Sequence, residues 1–142
     1  MRVMYVEDDP RDIDLLLQVL QADDPGVEVR TAGSVADARI MLEAAGPDYS
    51  PYDVLVADIG LPDGNGFNVV DWLRKQENLA RLPLVVYSGR ELTPDECRQL
   101  TLGPTHFLTK ARVQPQQLEA LVLTMLRSSR QMEEIPVAGN PR

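Results

Sequence analysis

Short apolar runs alternate along the chain with longer stretches whose apolar positions recur every three or four residues, a pattern that predicts a parallel sheet with crossover helices. The first run, residues 2–6, contains Val3-Met4-Tyr5-Val6 and ends in Glu7-Asp8-Asp9. Pro10 suits a helix start, and Ile13, Leu15, Leu16, Leu17, Val19 and Leu20 give that helix a wide apolar face as far as Asp23-Asp24-Pro25-Gly26. Val27 to Thr31 alternates apolar and polar residues, as expected of a strand near a sheet edge. Ser34 caps a helix to about Ala45 with Val35, Ala38, Ile40, Met41 and Leu42 as its buried side, and Gly46-Pro47 stops it.

Residues 53–57 are almost wholly apolar, which predicts a central strand covered on both faces. Asn65 can cap a helix from Gly66 to about Gln76 with Val69, Val70, Trp72 and Leu73 facing in. Leu84-Val85-Val86-Tyr87 predicts a fourth strand ending in Ser88-Gly89. Thr93-Pro94-Asp95-Glu96 is a capping-box opening for a short helix to about Leu102. His106-Phe107-Leu108-Thr109 predicts a fifth strand ending in Lys110. Pro115 opens a last helix on which Leu118, Leu121, Val122, Met125 and Leu126 repeat at helical spacing. The pattern decays from Ser128, so residues 1–128 are expected to form one domain and 129–142 a disordered tail or linker stub.

Composition narrows the class. The 142 residues suffice for one domain with a proper core, and 44% hydrophobic with 25% charged residues is a globular balance. No apolar stretch is long enough to span a membrane, and the first residues enter a strand without a signal-type segment. A net charge of −8 argues against nucleic-acid binding by this domain, because phosphate contacts need clustered Lys and Arg. The single Cys97 excludes an internal disulfide and fits a cytoplasmic protein.

Candidate chemistry gathers at the strand ends. Glu7, Asp8 and Asp9, then Asp58, Ser88 and Lys110 stand at the C-terminal ends of predicted strands, and in an open α/β sheet those ends share one crevice where ligands bind. Converging carboxylates repel each other and persist mainly when a cation occupies them. They supply hard oxygen ligands for Mg²⁺, while Lys110 offers a point charge for an anion and Ser88 a hydroxyl donor. The combination points to Mg²⁺-assisted phosphoryl chemistry.

These residues match a family. Glu7-Asp8-Asp9, Asp58 with Pro62 and Gly66, Ser88-Gly89, and Lys110 stand in the order and spacing of response-regulator receiver domains, and the resemblance covers about residues 1–128. It implies a doubly wound (βα)5 flavodoxin-like domain with a five-stranded parallel sheet of order 2-1-3-4-5. It makes Asp58 the phosphoacceptor. Asp8, Asp58 and the backbone carbonyl of Gly60 would ligate Mg²⁺, with Glu7 holding the metal through water. Ser88 and Lys110 would contact the phosphoryl oxygens, and Phe107 matches the aromatic that rotates on activation. The implied partners are a histidine kinase or phosphotransfer protein and a downstream protein target, met as a monomer or weak homodimer. Signalling would run through the face of the fourth helix and fifth strand. No turnover of an external substrate is expected beyond self-phosphotransfer and slow dephosphorylation.

The chain departs from that family's pattern at several places. Ala111 follows Lys110 where the family usually has proline. Phe107 replaces the common Tyr, so no phenolic hydroxyl signals outward. Gly60 offers no side chain two residues past Asp58, and Arg90, two past Ser88, is placed to reach phosphate or a nearby acid. We take Gly60 and Arg90 as positions that tune the lifetime of phospho-Asp58. Asp9 reads as a helix cap rather than a metal ligand, Asp63 as a solvated loop residue, and His106 as a surface or structural residue. Cys97 reads as an incidental thiol, Trp72 and Tyr87 as packing residues, and Arg98 and Arg112 as solvated. Other readings are a pseudo-receiver that binds proteins without efficient phosphotransfer, a flavodoxin-like protein, and a Mg²⁺ phosphatase. The acidic Glu7-Asp8-Asp9 repels the bare phosphate a flavodoxin would hold, and the phosphatase pattern needs an Asp at position 60, which is Gly.

Overall fold

The computed structural model describes residues 2–23, 25–44, 52–61 and 64–134. Its main sheet has five parallel strands: β1 (Arg2–Val6), β2 (Glu28–Ala32), β3 (Val54–Ala57), β4 (Leu84–Ser88) and β5 (Thr105–Thr109), in the order β2-β1-β3-β4-β5. The helices are α1 (Pro10–Asp23), α2 (Val35–Glu43), α3 (Gly66–Arg74), α4 (Pro94–Leu100) and α5 (Pro115–Glu134). The order is the one expected. A small antiparallel pairing of Gly60–Leu61 with Gly64–Asn65, which no apolar pattern announces, lies between β3 and α3. Pro62, Asp63 and residues 135–142 lie outside the described residues, as does the side chain of Asn65. Helix α5 continues to Glu134, past the point where the apolar pattern decays. Among the described residues no helix is long and apolar enough to cross a membrane.

The two-residue period of the strands divides the core into two layers. Met4, Val6, Leu55, Ala57, Leu84 and Val86 face one side with residues of α2, α3 and α4. Val3, Tyr5, Val54, Val56, Val85 and Tyr87 face the other with Leu16 and Leu20 of α1 and Leu118, Val122 and Leu126 of α5. The central strands β1, β3 and β4 are therefore covered on both faces, which is why they carry almost no polar residue. The edge strand β2 alternates and is largely exposed except at Ala32.

Two apolar positions depart from expectation. Ile40, placed on the buried side of α2, is 66% exposed, and Leu15 of α1 is 47% exposed. Each helix lies on one face of the sheet, so only a stripe of it meets the core. Ala38 and Leu42 fill that stripe on α2, and Leu16 and Leu20 on α1.

The caps follow the sequence. The Ser34 side chain accepts from the Asp37 N–H, and Asp9 Oδ1 accepts from the Arg11 N–H at 2.9 Å, so Asp9 caps α1. At α4 the capping box is complete: Thr93 Oγ1 accepts from the Glu96 N–H at 3.1 Å, and Glu96 Oε1 accepts from the Thr93 N–H at 2.9 Å.

Candidate functional site

Each residue of the crevice is held by a backbone bond that carries the sheet ladder one step past a strand end. The Glu7 N–H donates to the Ala32 carbonyl at 2.9 Å, Asp58 N–H to Val6 at 3.0 Å, and Lys110 N–H to Ser88 at 2.7 Å. The parallel register thus sets Glu7, Asp58, Ser88 and Lys110 side by side along one edge of the sheet. Glu7, Asp58 and Ser88 are buried although all three are polar.

Lys110 organises the site. Its Nζ donates to Glu7 Oε1 at 2.5 Å, to Asp12 Oδ2 at 2.7 Å and to Asp58 Oδ2 at 3.3 Å. It also lies 5.4 Å from the centroid of the Tyr87 ring, within cation–π range. Lys110 therefore points into the acids although Ala111 follows it. Burial of the ammonium works to lower its pKa, but the hydrogen bonds to Asp12 and Glu7 and the charge of Asp58 outweigh it, and the group titrates above the ordinary lysine range.

Glu7 is the most deeply placed acid. Its Oε1 also accepts from the Tyr5 hydroxyl at 3.2 Å, and Oε2 accepts from the Asp8 and Asp9 N–H groups at 3.2 and 3.3 Å. Burial pushes its carboxyl up to about 7, with the Asp58 charge adding and the Lys110 hydrogen bond opposing. The Tyr5 and Tyr87 hydroxyls are pushed up too, chiefly by burial and further by nearby carboxylates.

One carboxylate oxygen each from Glu7, Asp8 and Asp58 lies within 4.8 Å of the others, a grouping that could hold a metal ion. Three hard oxygen donors of this kind fit Mg²⁺, which prefers carboxylates and water to nitrogen or sulfur ligands.

The other predicted residues divide. The Ser88 hydroxyl is turned to its own loop: it donates to the Arg90 carbonyl at 2.6 Å and accepts from the Arg90 N–H at 3.1 Å. The Arg90 guanidinium reaches an acid, meeting both Glu96 carboxylate oxygens at 2.9 and 2.7 Å, which draws the Glu96 carboxyl down to about 2. Phe107 is half-buried and packs against the core layer shared with α4, while its neighbour His106 is exposed. Gly60, two residues past Asp58, lies in the small antiparallel pairing opposite Asn65. Trp72 is half-buried with the Arg39 guanidinium 4.8 Å from its ring centroid. Arg98 pairs with Asp95 and Arg112 with Glu91, both on exposed side chains.

Three groups at the site escape a sequence reading. Asp12 sits in the first turn of α1, where an acid is ordinarily explained by the helix dipole. Tyr5 and Tyr87 look like strand residues facing a core. The only sequence signal for Asp12 is its spacing of one helical turn from Asp8.

Comparison with known proteins identifies the family. The response regulator receiver domain profile matches residues 3–123. The transcriptional regulatory protein TcrA of Mycobacterium tuberculosis is 33% identical over 109 residues, which are 77% of this chain and 40% of TcrA. An uncharacterized 14.6 kDa protein of Leptolyngbya boryana is 33% identical over 125 residues, 86% of this chain and 87% of that protein. The chain spans less than half the length of TcrA. Among solved structures, the chemotaxis response regulator CheY4 of Vibrio cholerae superposes with a TM-score of 0.71 at 25% identity, covering 87% of this chain and 97% of that one. A CheY-like receiver domain from Methanospirillum hungatei gives 0.76 at 21% identity, with 92% and 97% covered, a likeness of fold alone. With the profile running through nearly every element that builds the acidic crevice, the chain belongs to the response regulator receiver-domain family, the signalling modules of two-component systems.

Proposed function

We propose that this receiver takes a phosphoryl group on Asp58 from a histidine kinase or phosphotransfer protein, and signals to a downstream protein through the face of α4 and β5. The observation that carries the reading is the meeting of Asp58 with the Lys110 ammonium and two further carboxylates, Glu7 and Asp8, at the open end of the sheet. Asp8, Asp58 and the Gly60 carbonyl would hold Mg²⁺, with Glu7 reached through water. When bound, the ion neutralises charge on the phosphoryl oxygens.

The chain's own groups do the rest. An Asp58 oxygen bonds to phosphorus as the bond between phosphorus and the donor breaks, and the donor departs with the electron pair. Lys110 meets the incoming negative charge beside Asp58. The Ser88 hydroxyl releases the Arg90 carbonyl to donate to a phosphoryl oxygen. That inward movement opens space beside half-buried Phe107, and a changed packing of Phe107 against α4 carries the signal outward. The chemistry is one transfer to Asp58 and the later hydrolysis of that acyl phosphate by water, with no substrate beyond the phosphodonor.

Acetyl phosphate with Mg²⁺ should add one phosphoryl group to the protein and none to Asp58→Asn, as read by intact mass. Label surviving in Asp58→Asn refutes the choice of residue. A parent protein that takes no label and whose Trp72 fluorescence ignores beryllofluoride is a pseudo-receiver.

A further inference from the structure

We propose that Asp12 is a positioning residue that competes with Asp58 for the Lys110 ammonium and so acts as a brake on phosphoryl capture. The inference deepens the reading of Asp58 as phosphoacceptor and rests on it.

A lysine ammonium has three N–H donors. Here all of them face carboxylates, and the bond to Asp58 is the longest: 3.3 Å, against 2.5 Å to Glu7 and 2.7 Å to Asp12. Charge-assisted N–H···O bonds are normally about 2.7–2.9 Å, so the weakest is the one to the proposed nucleophile. A phosphoryl group on Asp58 needs a donor from Lys110, and one of the present partners must yield it.

Asp12 differs from the other two partners. Glu7 and Asp58 belong to the trio that can hold a cation, and Asp12 does not. A cation there would offset the charge of Glu7 and Asp58 and leave Asp12 reliant on Lys110. The hold of Asp12 on the ammonium therefore grows, relative to the others, in the state that accepts phosphate. Asp12 cannot drift away readily, because Leu16 and Leu20 fix α1 against the sheet. It also adds a fourth carboxylate, beside Glu7, Asp8 and Asp58, to a crevice that must admit a phosphoryl dianion.

The simpler account is that Asp12 only complements the α1 dipole. A dipole role is met by a carboxylate at the helix start facing solvent. Asp12 instead reaches a strand end 98 residues away and keeps only 28% of its side chain exposed. The two accounts separate experimentally, because a dipole role alters stability and leaves the chemistry of Asp58 unchanged.

Parent, Asp12→Asn and Asp12→Ser proteins, each confirmed folded by circular dichroism, are labelled with limiting acetyl phosphate and Mg²⁺. The variants should label about three- to tenfold faster and bind beryllofluoride more tightly by a similar factor. In metal-free protein the Lys110 ammonium protons, followed by nitrogen-15 NMR, should exchange faster in the variants. Equal or slower labelling, or unchanged ammonium exchange, overturns the proposal. If the parent itself takes no label on Asp58, the phosphoacceptor reading fails; if the parent labels and the variants match it, only the role of Asp12 fails.

Discussion

Arg74, at the C-terminal end of α3, clamps the side of the sheet away from the crevice. Its Nη1 donates to the carbonyls of Leu79, Ala80 and Leu82 at 3.3, 3.0 and 2.7 Å, and its Nη2 to that of Pro104 at 3.0 Å. Those carbonyls belong to the segments entering β4 and β5, the strands that end in Ser88 and just before Lys110. The guanidinium lies on Gly103, where a Cβ would stand 2.8 Å from both Arg74 Cζ and the Ala80 carbonyl oxygen. Arg74→Met keeps the apolar stem and removes all four hydrogen bonds. A hydrogen bond to a charged group is worth about 1.5–3 kcal/mol, and a buried carbonyl left unpaired costs about 1–3 kcal/mol. The sum is not realised, because the Leu79 and Pro104 carbonyls also accept from the Leu82 and Leu84 N–H groups and the Pro104 bond is exposed. A loss of about 3 kcal/mol is expected, a fall in Tm of roughly 10 °C for a domain of this size. Urea unfolding followed by Trp72 fluorescence measures it, with an unchanged m-value. Gly103→Ala should destabilise in the same assay, and the double variant should lose less than the two single losses together, since one of the two clashes is with Arg74 itself. Labelling of Asp58 should persist at temperatures where Arg74→Met stays folded. A loss below about 1 kcal/mol would show that the carbonyls are satisfied without the clamp.

The remaining expectations concern the crevice and its loop. Glu7 binds a proton in the native state between pH 4.5 and about 7 that it has lost in the unfolded chain, so the stability of metal-free protein should fall as pH rises through that window. A closed site would give about 3 kcal/mol and this crevice, open to water at its mouth, about half. Chemical denaturation at pH 5 and pH 8 in a chelator reads it, Mg²⁺ should restore stability at pH 8, and a flat profile would contradict the raised carboxyl. Lys110→Met should slow labelling by acetyl phosphate about a hundredfold, and a rate within a few-fold of the parent would remove Lys110 from the reaction. Arg90→Ala frees the Ser88 loop from Glu96, so phospho-Asp58 should persist about two- to fivefold longer, and equal decay rates would end the tuning role of Arg90.

Much of this protein is legible from local chemistry. The apolar runs of β1, β3 and β4 announce strands buried on both faces, because a two-residue period with helices on each side leaves no position for a polar residue. Asp9, Ser34 and the Thr93/Glu96 pair mark helix starts, because capping bonds join residues two or three positions apart. The alternation of elements places Asp58, Ser88 and Lys110 at one end of a parallel sheet, so the outline of the crevice follows from order alone. Tertiary structure decided what order could not. Whether Ile40 is covered depends on how α2 is rotated against the sheet, since its apolar arc is wider than the core it meets. Arg90 looks equally able to serve a phosphate or an acid until α4 brings Glu96 to it. Asp12 looks like a helix-dipole acid until the pairing of β1, β3, β4 and β5 brings Lys110 within 2.7 Å. Periodicity and capping reach only a few residues along the chain. A contact across 98 positions is set by strand order, register and helix rotation together, and no short stretch of sequence encodes those.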